Sequence, residues 1–106
     1  MFLGPKRNYD DFRRQIRPEI LPEFDELRKF CLSLGGNVTE DVRAHRVVFG
    51  KSISFRWFAD LEPENNSILI KIQKDRKEPF ATVTVSPGQN LDEVKSKMQD
   101  AYSLIR

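Results

Sequence analysis

The amino-acid sequence predicts an α+β domain, in which an antiparallel meander of three or four strands is covered by N-terminal and C-terminal helices. Three observations lead to this prediction. Apolar residues recur at helical spacing in residues 22–34 and again in 91–105. Between these segments, residues 52–61 and 68–73 alternate side chains as strands do. Because a sheet with one apolar face needs a cover, we expect the helices to lie on that face.

Length and composition indicate one globular domain. The chain has 106 residues, of which 39% are hydrophobic and 32% charged, with a net charge of +2. Half of such a chain could not bury a self-sufficient core without disulfides or a metal. We therefore divide the chain into a basic N-terminal arm or short helix at residues 1–17 and a single α+β domain at residues 18–106.

The N-terminal arm has one apolar face if it is helical. Tyr9, Phe12 and Ile16 are spaced three and four residues apart, and Pro5 and Pro18 bracket them. Two alternatives follow, a short helix docked on the domain or a mobile basic tail, and the apolar spacing favours the docked helix.

The first long helix has clear start and stop signals. Pro22 suits the first helical turn, and Gly35 and Gly36 are expected to end the helix in a left-handed conformation. Its apolar stripe consists of Phe24, Leu27, Phe30, Cys31 and Leu34. After it, residues 37–45 are predicted to contain a further short helix capped by Thr39.

Four segments are predicted to be strands. These segments are residues 46–50, 52–61, 68–73 and 80–85. Gly50 and Lys51 resemble a tight turn between the first two strands. Strict alternation in the second strand assigns the core face to Ile53, Phe55, Trp57, Ala59 and Leu61. It assigns the opposite face to Ser52, Ser54, Arg56, Phe58 and Asp60.

The sequence offers little catalytic chemistry. Cys31 is the only cysteine and His45 the only histidine, so the chain forms no internal disulfide and has no zinc-ligand spacing. We therefore predict no catalytic residue, no metal and no cofactor. The absence of disulfides, of a signal peptide and of a long apolar run predicts a cytoplasmic protein with no membrane partner.

The second face of the sheet is the candidate binding surface. Basic and aromatic side chains interleaved on an open sheet can stack bases and contact phosphates. An exposed Phe58 and Leu69 would instead form an apolar patch for docking. The candidate binding residues are Arg46, Arg56, Phe58, Leu69 and Lys71, together with Arg13 and Arg14 of the arm.

Three hypotheses about function follow. The preferred one is a non-catalytic protein-interaction or self-association domain, whose partner is a second copy or another protein. The alternative is an accessory nucleic-acid-binding module that uses the basic and aromatic sheet face. The second alternative is a small-molecule site, or an enzyme, built around His45 with Asp60 or Arg43.

Several stretches carry a resemblance to a known family. These stretches are LGGNVTEDV at 34–42, SFRWFADLEP at 54–63, ILIKI at 68–72, and the final helix with Leu91, Ala101 and Tyr102. They resemble an uncharacterised domain family, also labelled a predicted transport protein, which occurs as the C-terminal tail of GmrSD-type modification-dependent restriction proteins. The resemblance covers about two-thirds of the chain and departs at the compact loop 75–79. It implies no catalytic residues and favours a nucleic-acid context by analogy alone.

Overall fold

A computed structural model describes residues 7–52, 56–75 and 77–105 and shows a five-stranded antiparallel sheet. The strands are β1 (Val38–Val42), β2 (Val47–Lys51), β3 (Arg56–Glu64), β4 (Ser67–Ile72) and β5 (Ala81–Val85). Each strand pairs with the next in the chain, in the order β1-β2-β3-β4-β5. The predicted α+β class and antiparallel meander are confirmed, with five strands rather than three or four.

The additional strand is β1, where the prediction of a helix in residues 37–45 is wrong. Val42 pairs with Val47 and Asp41 with Val48 across the β1–β2 hairpin. The backbone N–H of Arg43 donates to the carbonyl of Arg46 at 2.8 Å and closes the turn. Pairing with β2 satisfies the backbone of this segment, and its β-branched residues suit a strand better than a helix.

Three helices cover one face of the sheet, which we call the inner face. They are α1 (Tyr9–Phe12), α2 (Leu21–Ser33) and α3 (Asp92–Leu104), and a short 3₁₀ helix (Arg13–Gln15) follows α1. Tyr9, Phe12 and Ile16 are buried, and the rings of Tyr9 and Phe12 lie 6.1 and 5.9 Å from that of Phe24. The N-terminal segment therefore docks on α2. No helix in the described part of the chain is long and apolar enough to cross a membrane.

The end of α2 differs from its prediction. Among the described glycines, only Gly88 has a positive φ, at 77°, so Gly35 and Gly36 do not adopt the left-handed conformation expected of them. Gly35 instead packs closely against α3, because a Cβ there would overlap the hydroxyl of Tyr102 and would require that side chain to shift. That hydroxyl donates to Asn37 Oδ1 at 2.6 Å and joins α3 to the start of β1.

Candidate functional site

A β-bulge in the middle of β3 determines which side chains reach the face that the helices leave open, the outer face. Phe49 pairs with Ala59, but Gly50 pairs with Trp57, so Phe58 is an extra residue on β3. Phe58 is fully buried, and its ring meets that of Tyr102 edge-on at 5.5 Å. The predicted positions of Phe58 on the outer face and Trp57 on the core face are both wrong, because the bulge breaks the alternation.

Gly50 makes this bulge possible. A Cβ at Gly50 would lie 2.8 Å from the carbonyl oxygen of Arg56, closer than real Cβ atoms approach backbone. Gly50 and Lys51 form the end of β2, so the tight turn predicted for them is wrong. Of the predicted second strand, residues 53–55 lie outside the described residues. A glycine inside a strand often marks a bulge or a close backbone approach, and here it marks both.

Two aromatic side chains meet on the outer face. The Trp57 and Phe80 ring centroids are 6.2 Å apart with an angle of 55° between the planes. Trp57 is half-buried, whereas Phe80 is 45% exposed, which is high for a large apolar side chain. The ammonium of Lys71 lies 5.4 Å from the centroid of Phe80. The pair, which we call the aromatic platform, offers a ring surface beside a cation.

The aromatic platform forms one wall of an open groove of about 250 Å³, which we call the outer groove. The side chains that line it are Arg43, Arg46, Val48, Trp57, Asp60, Lys71 and Phe80. Arg43 and Arg46 flank the β1–β2 turn, while Asp60 lies between Val48 of β2 and Lys71 of β4 through strand pairing. The sheet therefore gathers three cations, one acid and two aromatic rings.

The charges in the outer groove are incompletely paired. Arg46 Nη1 lies 3.6 Å from Asp60 Oδ2, longer than a hydrogen bond. Burial raises the pKa of the Asp60 carboxyl, and the attraction of Arg46 and Lys71 only partly offsets it. Arg43 Nε donates to Asp41 Oδ2 at 2.9 Å, but both side chains are more than half exposed, so this pair is weak.

The predicted site residues separate into two groups. Arg46, Leu69 and Lys71 lie on or beside the outer face, as expected. Arg56 does not: it pairs with Lys51, whose ammonium lies 4.1 Å over the Tyr102 ring on the inner face. The bulge accounts for this error as it does for Phe58.

The two arginines of the arm do not line the outer groove either. Arg13 Nη2 donates to Asp25 Oδ2 of α2 at 2.6 Å, and Tyr9 donates to Oδ1 of the same carboxylate. Arg14 is highly exposed on the same segment, 3.7 Å from Asp11. Arg13 and Arg14, which were predicted as binding residues together with the sheet residues, are therefore not among the side chains that line the outer groove.

Five groove residues were not among the predicted binding residues, namely Arg43, Val48, Trp57, Asp60 and Phe80. Gly50 could have indicated the position of Trp57, because a glycine inside a strand often marks a bulge, but it was interpreted as part of a turn. The signal for Arg43 was its spacing of three from Arg46, which fits the two ends of a hairpin turn. Phe80 precedes β5 and carried no signal, because only folding brings it to Trp57.

The single cysteine and the single histidine lie in different environments. Cys31 is fully buried with its sulfur 3.8 Å from that of Met98, and burial raises the pKa of its thiol to about 12. Such a thiol is protonated at neutral pH and is a poor nucleophile. His45 is exposed in the β1–β2 turn. Within residues 7–52, 56–75 and 77–105, no three histidine, cysteine or carboxylate side chains gather to hold a metal.

Comparison of the chain with protein-family models, with curated proteins and with solved structures finds no match. The resemblance to the uncharacterised domain family therefore stays a prediction.

Proposed function

We propose that the protein is a non-catalytic binding module that holds single-stranded nucleic acid on the outer face of its sheet. The observation that carries this proposal is the aromatic platform of Trp57 and Phe80, placed among Arg43, Arg46 and Lys71. Base stacking on aromatic rings beside cations is the usual way in which proteins hold single strands.

Stacking requires unpaired bases, which is why a single strand fits better than a duplex. Every base has an aromatic face, and stacking on one ring contributes about 1–3 kcal/mol by alanine substitution. The platform is open to solvent along Phe80, which is 45% exposed. A splayed base can therefore reach it without rearrangement of the helices.

The three cations provide contacts for phosphates. Arg43 and Arg46 lie at one end of the outer groove, and Lys71 lies beside Phe80. Arg43 is only weakly held by Asp41, so it can turn towards a phosphate. Two or three such contacts predict a salt dependence of log Kd with a slope of roughly 1.5–2 in log salt concentration.

The other two hypotheses lose support from the same geometry. Self-association was predicted from a patch of Phe58 and Leu69, but Phe58 is fully buried and Leu69 is half-buried between Glu62 and Thr84. A small-molecule site would need an enclosed pocket of about 300–1,000 Å³. The outer groove, at about 250 Å³, is open and smaller. The space that His45 and Arg43 line, at about 300 Å³, only reaches the lower limit and is also open to solvent.

Trp57 makes the test direct, because it is the only tryptophan in the chain. We would titrate the protein with a DNA or RNA strand of about eight nucleotides and follow tryptophan fluorescence at low and moderate salt. Stacking should quench Trp57, and the affinity should fall as salt rises.

Matched variants separate the groove from general surface effects. Trp57→Ala should weaken the binding of a labelled nucleic-acid strand about 5- to 100-fold. The loss of affinity in Lys71→Ala should be several times smaller than that in Trp57→Ala. Leu104→Ala and Lys97→Ala are the controls, since both side chains are exposed on α3, on the opposite side of the sheet. Absence of binding at low salt, or equal losses in the control variants, would refute the proposal. A dimer indifferent to nucleic acid would support self-association instead.

A further inference from the structure

Asp60 is an unusual residue within the outer groove. It is 8% exposed and is the only buried polar or charged residue in the described ranges. Its side chain lies on the outer face between Val48 and Lys71, away from the core beneath the helices. Burying an ionised carboxylate costs desolvation free energy unless it is paired or hydrogen-bonded. The position of Asp60 therefore suggests a partner for its carboxylate.

The protein supplies only part of that partner. Arg46 approaches one oxygen, Oδ2, at 3.6 Å, and no group in the described part of the chain donates a hydrogen bond to the carboxylate. An ionised carboxylate has about four acceptor sites on two oxygens. Acceptor positions on Asp60 are therefore left for a ligand in the groove.

The five common bases differ in how many hydrogen bonds they can donate to a carboxylate. Guanine presents two adjacent donors, N1–H and N2–H, on its Watson–Crick edge, which match the two carboxylate oxygens. Cytosine, adenine, thymine and uracil each present a donor beside an acceptor on that edge, so a carboxylate can meet only one donor. Bidentate hydrogen bonds to a charged group are both stronger and more selective than single ones.

The bulge places this acid beside the aromatic platform. Trp57 and Asp60 are three residues apart and would face opposite sides of a regular strand, but the extra residue Phe58 brings both to the outer groove. A base that lies on the ring of Trp57 would direct an edge along the sheet towards Asp60.

Resting on the proposed function, we propose that the outer groove selects guanine, with the base stacked on Trp57 and its N1–H and N2–H donated to Asp60. Lys71 and Arg46 flank the acid and contact the O6 or phosphate side of the same nucleotide.

The test compares strands that differ at one base. We would measure Kd by Trp57 quenching for a thymidine strand of about eight nucleotides and for the same strand with one central guanosine. We expect the guanosine strand to bind about ten-fold more tightly. Inosine, which lacks the N2 amino group, should lose most of this preference, and 7-deazaguanosine, which keeps both donors, should retain it.

A variant assigns the preference to Asp60. Asp60→Asn should reduce the guanosine preference to about two-fold or less, because an amide offers one acceptor and one donor in place of two acceptors. Circular dichroism would verify its fold, and the inosine and 7-deazaguanosine strands test the same contact in the unmodified protein. Retention of the preference by Asp60→Asn, or loss with 7-deazaguanosine rather than inosine, would overturn the assignment.

The two proposals fail in different ways. Tight, salt-dependent quenching by every strand, with no base preference, would overturn guanine selection and leave single-strand binding intact. An absence of quenching by any strand would overturn both.

Discussion

Phe58 and Trp57 are neighbours in the chain, yet they occupy opposite environments. Phe58 is fully buried against Tyr102, whereas Trp57 faces the outer groove beside an exposed Phe80. On β4, where no bulge intervenes, Ile68, Ile70 and Ile72 are buried and alternate with half-buried residues. The comparison shows that one inserted residue places a core side chain and an outer-groove side chain in succession on β3. We therefore expect substitutions at these two neighbouring positions to separate stability from the proposed binding.

The largest expected effect is on the buried side of this pair. Phe58→Ala should destabilise the protein by about 3–5 kcal/mol, because it removes a fully buried ring and leaves a cavity. Trp57→Ala should change stability by less than about 1 kcal/mol while weakening nucleic-acid binding. Urea unfolding followed by circular dichroism measures both. Equal destabilisation by the two variants would contradict the assignment of the faces.

The next effect tests the bulge itself. Gly50→Ala should destabilise by about 1–3 kcal/mol, because its Cβ would lie 2.8 Å from the Arg56 carbonyl oxygen, which is backbone and cannot swing away. Gly50→Ala should also weaken the binding of single-stranded nucleic acid, because it displaces Trp57. Gly36→Ala is the matched control, since nothing lies within 4 Å of a Cβ there. Similar unfolding free energies for the two variants would contradict the close approach of Gly50 to the backbone of Arg56 at the bulge.

The helix α3 and the strand β3 differ in how well the sequence predicts which side chains are buried. The stripe of α3 was predicted correctly, with Val94, Met98 and Ala101 buried, because a helix keeps its periodicity over its whole length. A strand loses its phase at a single bulge, so the faces of β3 were reversed around Phe58. Only β1 of the first hairpin was missed, because Thr39 resembles a helix cap while the pairing of β1 with β2 cannot be read from the local sequence. The pairing of Phe80 with Trp57 depends on tertiary folding and had no local pattern.

A smaller effect is expected where the N-terminal segment docks on α2. Tyr9→Phe should destabilise by about 1 kcal/mol, because the Tyr9 hydroxyl donates to Asp25 at 2.6 Å. Burial favours the neutral form of Asp25, but hydrogen bonds from Arg13 and Tyr9 outweigh it and lower the pKa of this carboxyl. The stabilisation is therefore present above the ordinary aspartate pKa and is lost as pH falls through the folded-state value. Thermal unfolding at neutral and acidic pH should show a variant penalty that shrinks on acidification.

The same segment tests whether the outer face acts alone. Arg13→Ala and Arg14→Ala should leave the affinity for nucleic acid unchanged, since Arg13 is held by Asp25 and both lie on the helix side of the molecule. A loss comparable to that of Lys71→Ala would extend the binding surface onto the arm.

The smallest expected change in stability concerns Asp60, and the direction of its pH dependence is the informative result. Burial raises the pKa of this carboxyl in the folded protein above its ordinary value of 3.8, despite Arg46, Lys71 and Arg43, while Glu62 adds to the rise. The folded state therefore holds the proton more tightly than the unfolded state, and this contribution to stability is lost as pH rises through the folded-state pKa. Asp60→Asn does not titrate, so its melting temperature relative to the unmodified protein should be higher at about pH 7 than at about pH 4. Arg46, 40% exposed, stays solvated without its partner. If the relative melting temperature of Asp60→Asn were instead lower at about pH 7 than at about pH 4, Asp60 would stabilise the fold as an ion pair. The expected result would mean that the ionised Asp60 destabilises the fold, so its presence on the outer face is not explained by stability.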